Sequence, residues 1–190
     1  MISDEVRDQM RAIAARYPDV KSGMLPCLHL AQQTEGYVTA DGIQAVAEVL
    51  GVKVDEVASV VSFYSMYFER PVGKYVIKVC TSISCYLGGC DSLMRHFEDR
   101  LRITRGETTP DGTFTLLPVE CLAACGMAPA IQVNDQFVES VTPAAADELI
   151  ATLRRGEPIP VAQTRWTIAG NGAGTEESEA GASGQRKRAR

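Results

Sequence analysis

Four of the six cysteines form two close pairs, and thiolates are the groups of this chain best suited to bind a metal. Cys80 and Cys85 lie in CTSISC with four residues between them, and Cys121 and Cys125 lie in ECLAACGMAP with three. Thirty-five residues separate the two pairs. Four cysteine thiolates are the ligand set of a [2Fe–2S] cluster, in which each iron takes two protein ligands. The spacing therefore predicts one such cluster, with one cysteine pair on each iron.

The residues around the cysteines suit a negatively charged cluster. Ferric iron, sulfide and four thiolates together carry net negative charge, which grows on reduction and predicts a low potential, roughly −400 mV as in plant-type clusters. Backbone N–H groups directed at the sulfurs oppose this effect, and small side chains let them approach. Both cysteine segments are rich in small or hydroxylated residues: Thr81, Ser82, Ser84, Ala123, Ala124, Gly126 and Ala128.

Other uses of the cysteines are less consistent with the pattern. A structural zinc site also takes four cysteines, but usually with two residues between the members of a pair, so a zinc-stabilised interaction module is the more distant alternative. The chain has no C-x-x-C motif for a redox dithiol. A nucleophilic cysteine needs a histidine, and only His29 and His96 are present, both at predicted helical positions.

Two cysteines remain outside the predicted site. Cys27 lies in a predicted helix and is interpreted as a small buried hydrophobic residue. Cys90 follows Cys85 by five residues, so it could replace a ligand or oxidise with a neighbour. Because four ligands already complete the site, we expect Cys90 to be a bystander.

The composition is that of a soluble globular protein. The chain has 190 residues, of which 45% are hydrophobic and 23% charged, with a net charge of −5. An acidic body does not favour nucleic-acid binding. The apolar runs are too short to span a bilayer, and the polar N-terminus does not resemble a signal peptide. We therefore expect a cytoplasmic protein, or one held on the cytoplasmic face of a membrane only through its partners.

Residues 1–72 are predicted to form a helical bundle of four short helices. Ser3 and Thr39 are suited to begin helices, and Gly36 and Gly51 are suited to end them. Between these positions apolar residues recur at helical spacing. Such a thin bundle is expected to need a neighbour against which it can pack.

From Gly73 onward the pattern becomes α/β. KYVIKVC and FTLLPVE are predicted strands that lead directly into Cys80 and Cys121, SLMRHFEDRL is a predicted helix, IQVN and QFVES form a hairpin, and residues 143–155 a last helix. This order matches a thioredoxin-like sandwich, so the expected fold class is α+β, with a [2Fe–2S] domain over residues 73–160. Both cysteine pairs then follow strand ends and should meet at one end of the sheet. The low-complexity residues 161–190 are predicted to be a disordered tail.

Three stretches together resemble one family: LHLAQQTEGYVTADGI, VVSFYSMYFERPVGKYVIKVCTSISC and LLPVECLAACGMAPAIQVND. It is the 24-kDa-type subunit of respiratory complex I, the E-type subunit of bacterial NADH–quinone oxidoreductase, and the resemblance covers residues 5–157. It implies a helical bundle followed by a thioredoxin-like ferredoxin domain. The family's cluster ligands correspond to Cys80, Cys85, Cys121 and Cys125.

The resemblance also implies a function and partners. The chain is expected to be an electron-transfer subunit whose cluster exchanges electrons with FMN on a partner subunit that binds NADH, with further iron–sulfur subunits in the same complex. FMN and NADH are not expected on this chain, which lacks a G-x-G-x-x-G motif and should be inactive alone. The equivalent subunit of a soluble formate dehydrogenase or hydrogenase is the alternative. Aromatic and methionine side chains near the end of the bundle form either a docking surface or an internal core: Phe63, Tyr64, Met66, Tyr67 and Phe68.

The chain departs from the family's pattern at two positions. The family more often has glycine where Ala123 stands, and an alanine there costs little if its φ is negative. The family also has a residue other than cysteine at the position of Cys90, which leaves the chemistry around the first cysteine segment open.

Overall fold

The computed structural model describes residues 1–159. Its first part consists of helices α1 (Asp4–Ala14), α2 (Met24–Glu35), α3 (Ala40–Leu50) and α4 (Val54–Phe63), with a short 3-10 helix at Val20–Gly23. The four predicted helices are thereby confirmed. The predicted disordered tail, residues 161–190, lies outside the described residues.

Caps at the helix ends explain these bounds. The hydroxyls of Ser3 and Thr39 accept hydrogen bonds from first-turn amides of α1 and α3, at 3.3 and 2.9 Å. Gly36 and Gly51 adopt φ values of 81° and 63°, in the left-handed region, where glycine ends a helix at little cost.

The core of the helical part draws on all four helices. Its fully buried side chains include Met10, Cys27, Leu28, Val46 and Val57. The segment after α4 folds back onto this core, because Tyr67 is buried and its hydroxyl donates to the Leu25 carbonyl at 2.8 Å. The segment that follows α4 therefore packs against the helices and forms part of the bundle core.

A four-stranded mixed sheet forms the second part. Its strands are β1 (Tyr75–Cys80), β2 (Phe114–Val119), β3 (Ile131–Val133) and β4 (Gln136–Val138), in the spatial order β2-β1-β3-β4. β1 and β2 are parallel, with Cys80 opposite Val119, whereas β3 is antiparallel to β1 and β4 is antiparallel to β3. Because β1 and β2 are parallel, the chain leaves both strands at the same end of the sheet.

Two helices, α6 (Cys90–Leu101) and α7 (Pro143–Arg154), contribute most of the helical side chains that pack with the sheet residues in one core. Phe97 and Leu149 are buried in this core together with Phe114 of β2. Asp147 links the helices, since it accepts from His96 Nε2 at 2.9 Å and from Arg100 Nε at 2.7 Å. The predicted order of elements is confirmed, except that it omitted a short helix, α5 (Ile83–Leu87).

The buried side chains form two clusters, one drawn from the bundle and one from the sheet with its helices. The chain between them is tied to the loop that precedes β2, where Arg70 Nη2 donates to the Gly106 carbonyl at 3.1 Å. Gly73 lies so close to β2 that a Cβ added there would be 2.7 Å from the carbonyl carbon of Phe114. Within residues 1–159, none of the helices is both long and apolar enough to cross a membrane.

Candidate iron–sulfur site

The first cysteine lies at the end of the central strand. Cys80 is the last residue of β1 and is buried. Its amide donates to the Ala130 carbonyl at 3.1 Å, and the amide of Thr81 donates to the Val119 carbonyl at 2.9 Å. The backbone is therefore held on both sides up to the residue after Cys80, which fixes where the first cysteine segment begins.

The second cysteine lies on α5, where the sequence predicted a loop. Ser82 occupies the N-cap position, and Cys85 is on the buried side of the helix. The amide of Gly88 donates to the Ser84 carbonyl at 3.0 Å and closes the last turn. A hydrogen-bonded helical turn thus positions Cys85.

The second pair follows β2. Cys121 and Cys125 are both exposed, and their Sγ atoms are 3.6 Å apart. Their shared hydrogen bond raises the pKa of Cys125. Cys125 begins a 3-10 helix that ends at Met127, whose carbonyl accepts from the Ser140 amide at 2.8 Å. This bond anchors the second cysteine segment to the chain that follows β4.

Ala123, between these two cysteines, has a φ of 61°. We expected alanine to cost little here only if its φ were negative, and that condition is not met. An L-residue in the left-handed conformation is destabilised by roughly 1–2 kcal/mol. Its amide donates to Cys121 Sγ at 3.3 Å. The positive φ of Ala123 lies after this amide in the chain, so it directs the backbone that leads on to Cys125.

The two cysteine segments contact each other. A Cβ added to Gly88 would lie 3.2 Å from the Cβ of Ala128 and 3.3 Å from the nitrogen of Pro129, so only glycine allows this approach without displacement. The Ser84 side chain also hydrogen-bonds to the sulfur of Cys125, which lies on the other segment. The thiols are thus held by two segments that pack on one another.

Amide groups act on the buried pair. Burial tends to raise the pKa of Cys80, but hydrogen bonds from the amides of Leu122 and Ser82 outweigh it, and the pKa is lowered. Burial raises the pKa of Cys85 to about 11, against an opposing hydrogen bond from the amide of Ala130. Since Leu122 belongs to the second cysteine segment, its amide links the two pairs.

The four cysteine thiols can serve two irons if each pair binds one iron. When two thiolates bind one tetrahedral metal at about 2.3 Å, their sulfurs are about 3.8 Å apart. The observed 3.6 Å between the Sγ atoms of Cys121 and Cys125 matches that separation. Cys80 and Cys85 are close enough for each to shift the pKa of the other. Among residues 1–159 no group of three or more His, Cys, Asp or Glu side chains is arranged to hold a metal ion. A [2Fe–2S] cluster takes two protein ligands on each iron, so each cysteine pair would serve one iron.

Three other candidate side chains have structural partners or lie on the surface. Cys27 is buried in the bundle, its Sγ is 3.5 Å from the Met10 carbonyl, and burial raises its pKa to about 11. His29 is exposed on α2. His96 hydrogen-bonds to Asp147, so it joins α6 to α7.

Cys90 is fully buried at the first position of α6. Burial raises its pKa, and the charges of Asp91 and Cys80 act in the same direction. It is close enough to Cys80 and Cys85 to interact with both electrostatically. Its role as a bystander stays a prediction.

The sequence interpretation missed an exposed apolar surface beside the cysteines. Three side chains of α5 point to solvent: Ile83 is 72% exposed, Tyr86 56% and Leu87 80%. We refer to these three residues as the α5 patch. Helix α5 carries Cys85 on its buried side, so the patch and the predicted cluster occupy opposite sides of one helical turn.

The aromatic segment at the end of the bundle divides between the two predicted roles. Tyr67 is buried in the bundle, and Phe68 is half-buried with Lys78 Nζ 5.6 Å from its ring centre. Phe63 is 80% exposed, and Tyr64 and Met66 are also exposed. Only these three exposed side chains are therefore available to a partner.

Comparisons with known proteins agree with this geometry. The model of the thioredoxin-like [2Fe-2S] ferredoxin family matches residues 10–154. An E-type subunit of NADH-quinone oxidoreductase from Rhizobium meliloti (strain 1021) is 40% identical over 154 residues, which cover 81% of this chain and 92% of that protein. The E-type subunit of the same enzyme from Mycobacterium tuberculosis (strain ATCC 25618 / H37Rv) is 42% identical over 148 residues, which cover 78% of this chain but 59% of that longer protein.

A solved structure shows the same fold. The crystal structure of an NAD+-reducing [NiFe]-hydrogenase in the air-oxidized state contains a chain that superimposes with a TM-score of 0.67 and 23% sequence identity, over 77% of this chain and 26% of that chain. The order of elements and the family match both support the predicted fold class, and the family supports a [2Fe–2S] cluster as cofactor. The chain belongs to the thioredoxin-like [2Fe-2S] ferredoxin family, together with the E-type subunits of NADH-quinone oxidoreductase.

Proposed function

We propose that this chain is an electron-transfer subunit of an NADH-quinone oxidoreductase and holds one [2Fe–2S] cluster through Cys80, Cys85, Cys121 and Cys125. The observation that carries the proposal is the placement of two cysteine pairs by two parallel strands at one end of the sheet, in a member of a [2Fe–2S] family. When bound, such a cluster supplies one-electron redox chemistry. The chain would act as an oxidoreductase only as part of its complex.

The protein's own groups would hold the charge of this cluster. Amides of Leu122 and Ser82 already donate to Cys80, and the amide of Ala123 donates to Cys121. Hydrogen bonds to a charged sulfur are stronger than those between neutral groups, so they favour the thiolate form that binds iron. The first pair is buried and the second is exposed, so the second pair is the more accessible to solvent.

The ligand assignment is tested by a pair of matched variants. Cys121→Ser is expected to abolish or severely weaken iron retention, because it removes one of two ligands on one iron. Cys90→Ser, a change of the same type at a buried cysteine near the first pair, is expected to keep the iron content of the unmodified chain. The measurement is iron per folded chain after anaerobic purification. Iron loss in Cys90→Ser, or full iron in Cys121→Ser, would contradict the assignment.

We further propose that the partner is an FMN- and NADH-binding subunit that docks against the α5 patch, with additional iron–sulfur subunits in the same assembly. Exposed apolar residues beside a redox site are suited to a protein contact, because they lose water-exposed area on docking. The patch lies on the helix that carries Cys85, so a partner bound there is close to the cluster. Phe63 and its exposed neighbours on the bundle provide a second contact region.

Leu87→Glu tests this docking surface. We expect it to leave iron content unchanged, since the side chain is 80% exposed, and to weaken co-purification with the flavoprotein subunit. Val54→Glu is the control, because Val54 is also exposed but lies on the bundle at the first turn of α4, where an acidic residue is tolerated. NADH should reduce the cluster only in the presence of the flavoprotein subunit. Equal binding of both variants would refute the proposed surface, and NADH turnover by this chain alone would refute the division of roles.

Two organisational proposals accompany this function. The division into a helical bundle (residues 1–72) and a thioredoxin-like domain (residues 73–160) is supported by the two separate buried clusters. We place the protein in the cytoplasm, or on the cytoplasmic face of a membrane through its complex.

The alternative assembly, a soluble formate dehydrogenase or hydrogenase, is less favoured because the relatives at 40% and 42% identity are named for NADH-quinone oxidoreductase. The proteins that co-purify with this chain would distinguish the two assemblies. Quinone-reducing membrane subunits would support the NADH-quinone oxidoreductase, and a nickel or molybdenum enzyme would support the alternative.

A further inference from the structure

Lys78 is an unusual residue for the central strand of the sheet. Its neighbours along β1, Ile77 and Val79, are fully buried in the core that includes α6 and α7, so the Lys78 side chain lies on the other face of the sheet. Its cross-strand neighbours are Leu117 of β2 and Gln132 of β3, and neither carries a charge. The positions beside Lys78 in the sheet therefore provide no acidic partner.

The ammonium group of Lys78 is half-buried, and its Nζ lies 5.6 Å from the ring centre of Phe68. Within the part of the chain that the structure describes, Lys78 forms no salt bridge. Burial lowers the pKa of Lys78, and the charge of Asp135, on the turn between β3 and β4, acts in the opposite direction. A cation withdrawn from water without a paired anion is costly, which points to a negative group that comes from outside this chain.

Lys78 lines a cavity of about 500 Å³ between the helical bundle and the sheet. Its walls come from α2, from the segment that links the two parts, from β1 and from the turn between β3 and β4. Apolar side chains form one part of the wall: Phe68, Val72 and Val76. Groups that can donate hydrogen bonds form another part: His29, Gln33, Lys74 and Lys78. Sites for small molecules commonly lie between domains, have this size and combine apolar walls with a few polar groups.

Side-chain amides hold the walls of this cavity in place. Gln32 Oε1 accepts from the Phe68 amide at 2.7 Å and so joins α2 to the linking segment. Asn134 Oδ1 accepts from the Val76 amide at 2.8 Å, and its Nδ2 donates to the Lys74 carbonyl at 3.2 Å. These bonds connect the elements of the wall to one another, so the cavity is formed before any ligand binds.

The charge of the cavity differs in sign from that of the whole chain. Two lysines, Lys74 and Lys78, line it against one carboxylate, that of Asp135. The chain as a whole carries a net charge of −5. A local excess of positive charge in a concave site raises the local concentration of anions.

We propose that this cavity binds a small organic anion, whose carboxylate or phosphate group pairs with Lys78 and Lys74 and whose apolar part lies against Phe68 and Val72. The inference goes beyond the proposed function and does not depend on which cysteines hold the cluster. An anion without an apolar part makes only half of these contacts and should bind more weakly.

The probes are 4-fluorophenyl phosphate and 4-fluorobenzoate, which share a ring and differ in the anionic group. Their binding to the full chain is followed by ¹⁹F NMR titration, with inorganic phosphate as a competitor. We expect saturable binding of at least one probe at one site per chain, and the tighter probe identifies the anionic group. Inorganic phosphate should displace it only at a concentration at least about tenfold higher than its own, because the ring contributes apolar contact.

Lys78→Met tests the proposed ion pair, since methionine keeps the apolar stem of the side chain and removes the charge. It should weaken probe binding by about tenfold. Lys53→Met is the matched control, because Lys53 is exposed at the start of α4 and the change in net charge is the same. Gln33→Glu, at an exposed position of α2, brings a negative charge to the cavity and should weaken binding by about threefold even if Lys78→Met does not fold.

Three results would overturn the inference. They are no saturable binding of either probe to the unmodified chain, equal affinity in the unmodified chain and in folded Lys78→Met or Gln33→Glu, and inorganic phosphate that binds as tightly as the probes. Iron content is measured in each sample, so a missing cluster, which bears on the proposed function, is distinguished from a missing anion site.

Discussion

The contact between the two cysteine segments can be tested with a single methyl group. Gly88→Ala adds a Cβ that would lie 3.2 Å from the Cβ of Ala128 and 3.3 Å from both the Ala128 carbonyl carbon and the Pro129 nitrogen. Two of these three atoms belong to the backbone, so a side-chain rotation cannot relieve the contact. Gly88 has φ −79° and ψ 0°, which alanine tolerates, so the expected effect arises from packing rather than from backbone strain.

The magnitude follows from two opposing contributions. Forcing an extra carbon into a well-packed contact costs about 1–3 kcal/mol. Replacing glycine by alanine at a compatible position contributes about 0.4–1 kcal/mol of stabilisation through the unfolded chain. The balance for Gly88→Ala is a loss of about 1 kcal/mol, which lowers the Tm by about 2–4 °C in a chain of this size.

Gly126→Ala is the matched control. Gly126 also lies in a cysteine segment, its φ is not positive, and a Cβ built there meets no atom within 4 Å. It should be neutral or slightly stabilising, so Gly126→Ala should melt above Gly88→Ala. The assay is thermal unfolding of the cluster-free chain by circular dichroism, followed by iron content of the two purified variants. A Gly88→Ala protein that melts at or above the control, with full iron, would refute the argument that Gly88 sets the approach of the two segments.

Two further predictions concern the parts that support the site. The hydrogen bond from His96 lowers the pKa of Asp147 in the folded protein. This interaction stabilises the fold when the pH is above the unfolded-state pKa of Asp147, and the stabilisation is lost as the pH falls through its folded-state pKa. The difference in Tm between the unmodified chain and Asp147→Asn should therefore be largest near neutral pH and should close below about pH 4, and a constant difference would contradict this. Tyr67→Phe removes the hydrogen bond to the Leu25 carbonyl and should lower the free energy of unfolding in urea by about 0.5–1.5 kcal/mol without changing iron content, whereas an unchanged free energy would show that this bond contributes nothing.

Most of the fold could be predicted because its elements carry strong local signals. The apolar periodicity of the bundle, the caps at Ser3 and Thr39 and the left-handed glycines Gly36 and Gly51 all agree with the structure. The two predicted strands that lead into Cys80 and Cys121 form adjacent parallel strands. Because these strands are parallel, both cysteine segments begin at the same end of the sheet, as predicted.

The parts that sequence patterns missed have physical reasons. Helix α5 has five residues, and a single turn is too short to show helical periodicity. Glycine and asparagine are enriched at positions with positive φ, whereas alanine is not, so the sequence does not predict the conformation of Ala123. Apolar residues are expected inside, and only the direction of α5 shows that Ile83 and Leu87 face solvent. For the same reason the sequence does not show which side chains of the aromatic segment are buried, and only the structure shows that Tyr67 is.

The central claim is that the four paired cysteines hold a two-iron cluster. The most direct test is to purify the full chain anaerobically, determine iron, acid-labile sulfide and zinc per chain, and record EPR spectra before and after reduction. The account predicts a red-brown protein with two irons and two sulfides per chain, and a rhombic EPR signal that appears only on reduction. A colourless protein that holds stoichiometric zinc and no iron would contradict it.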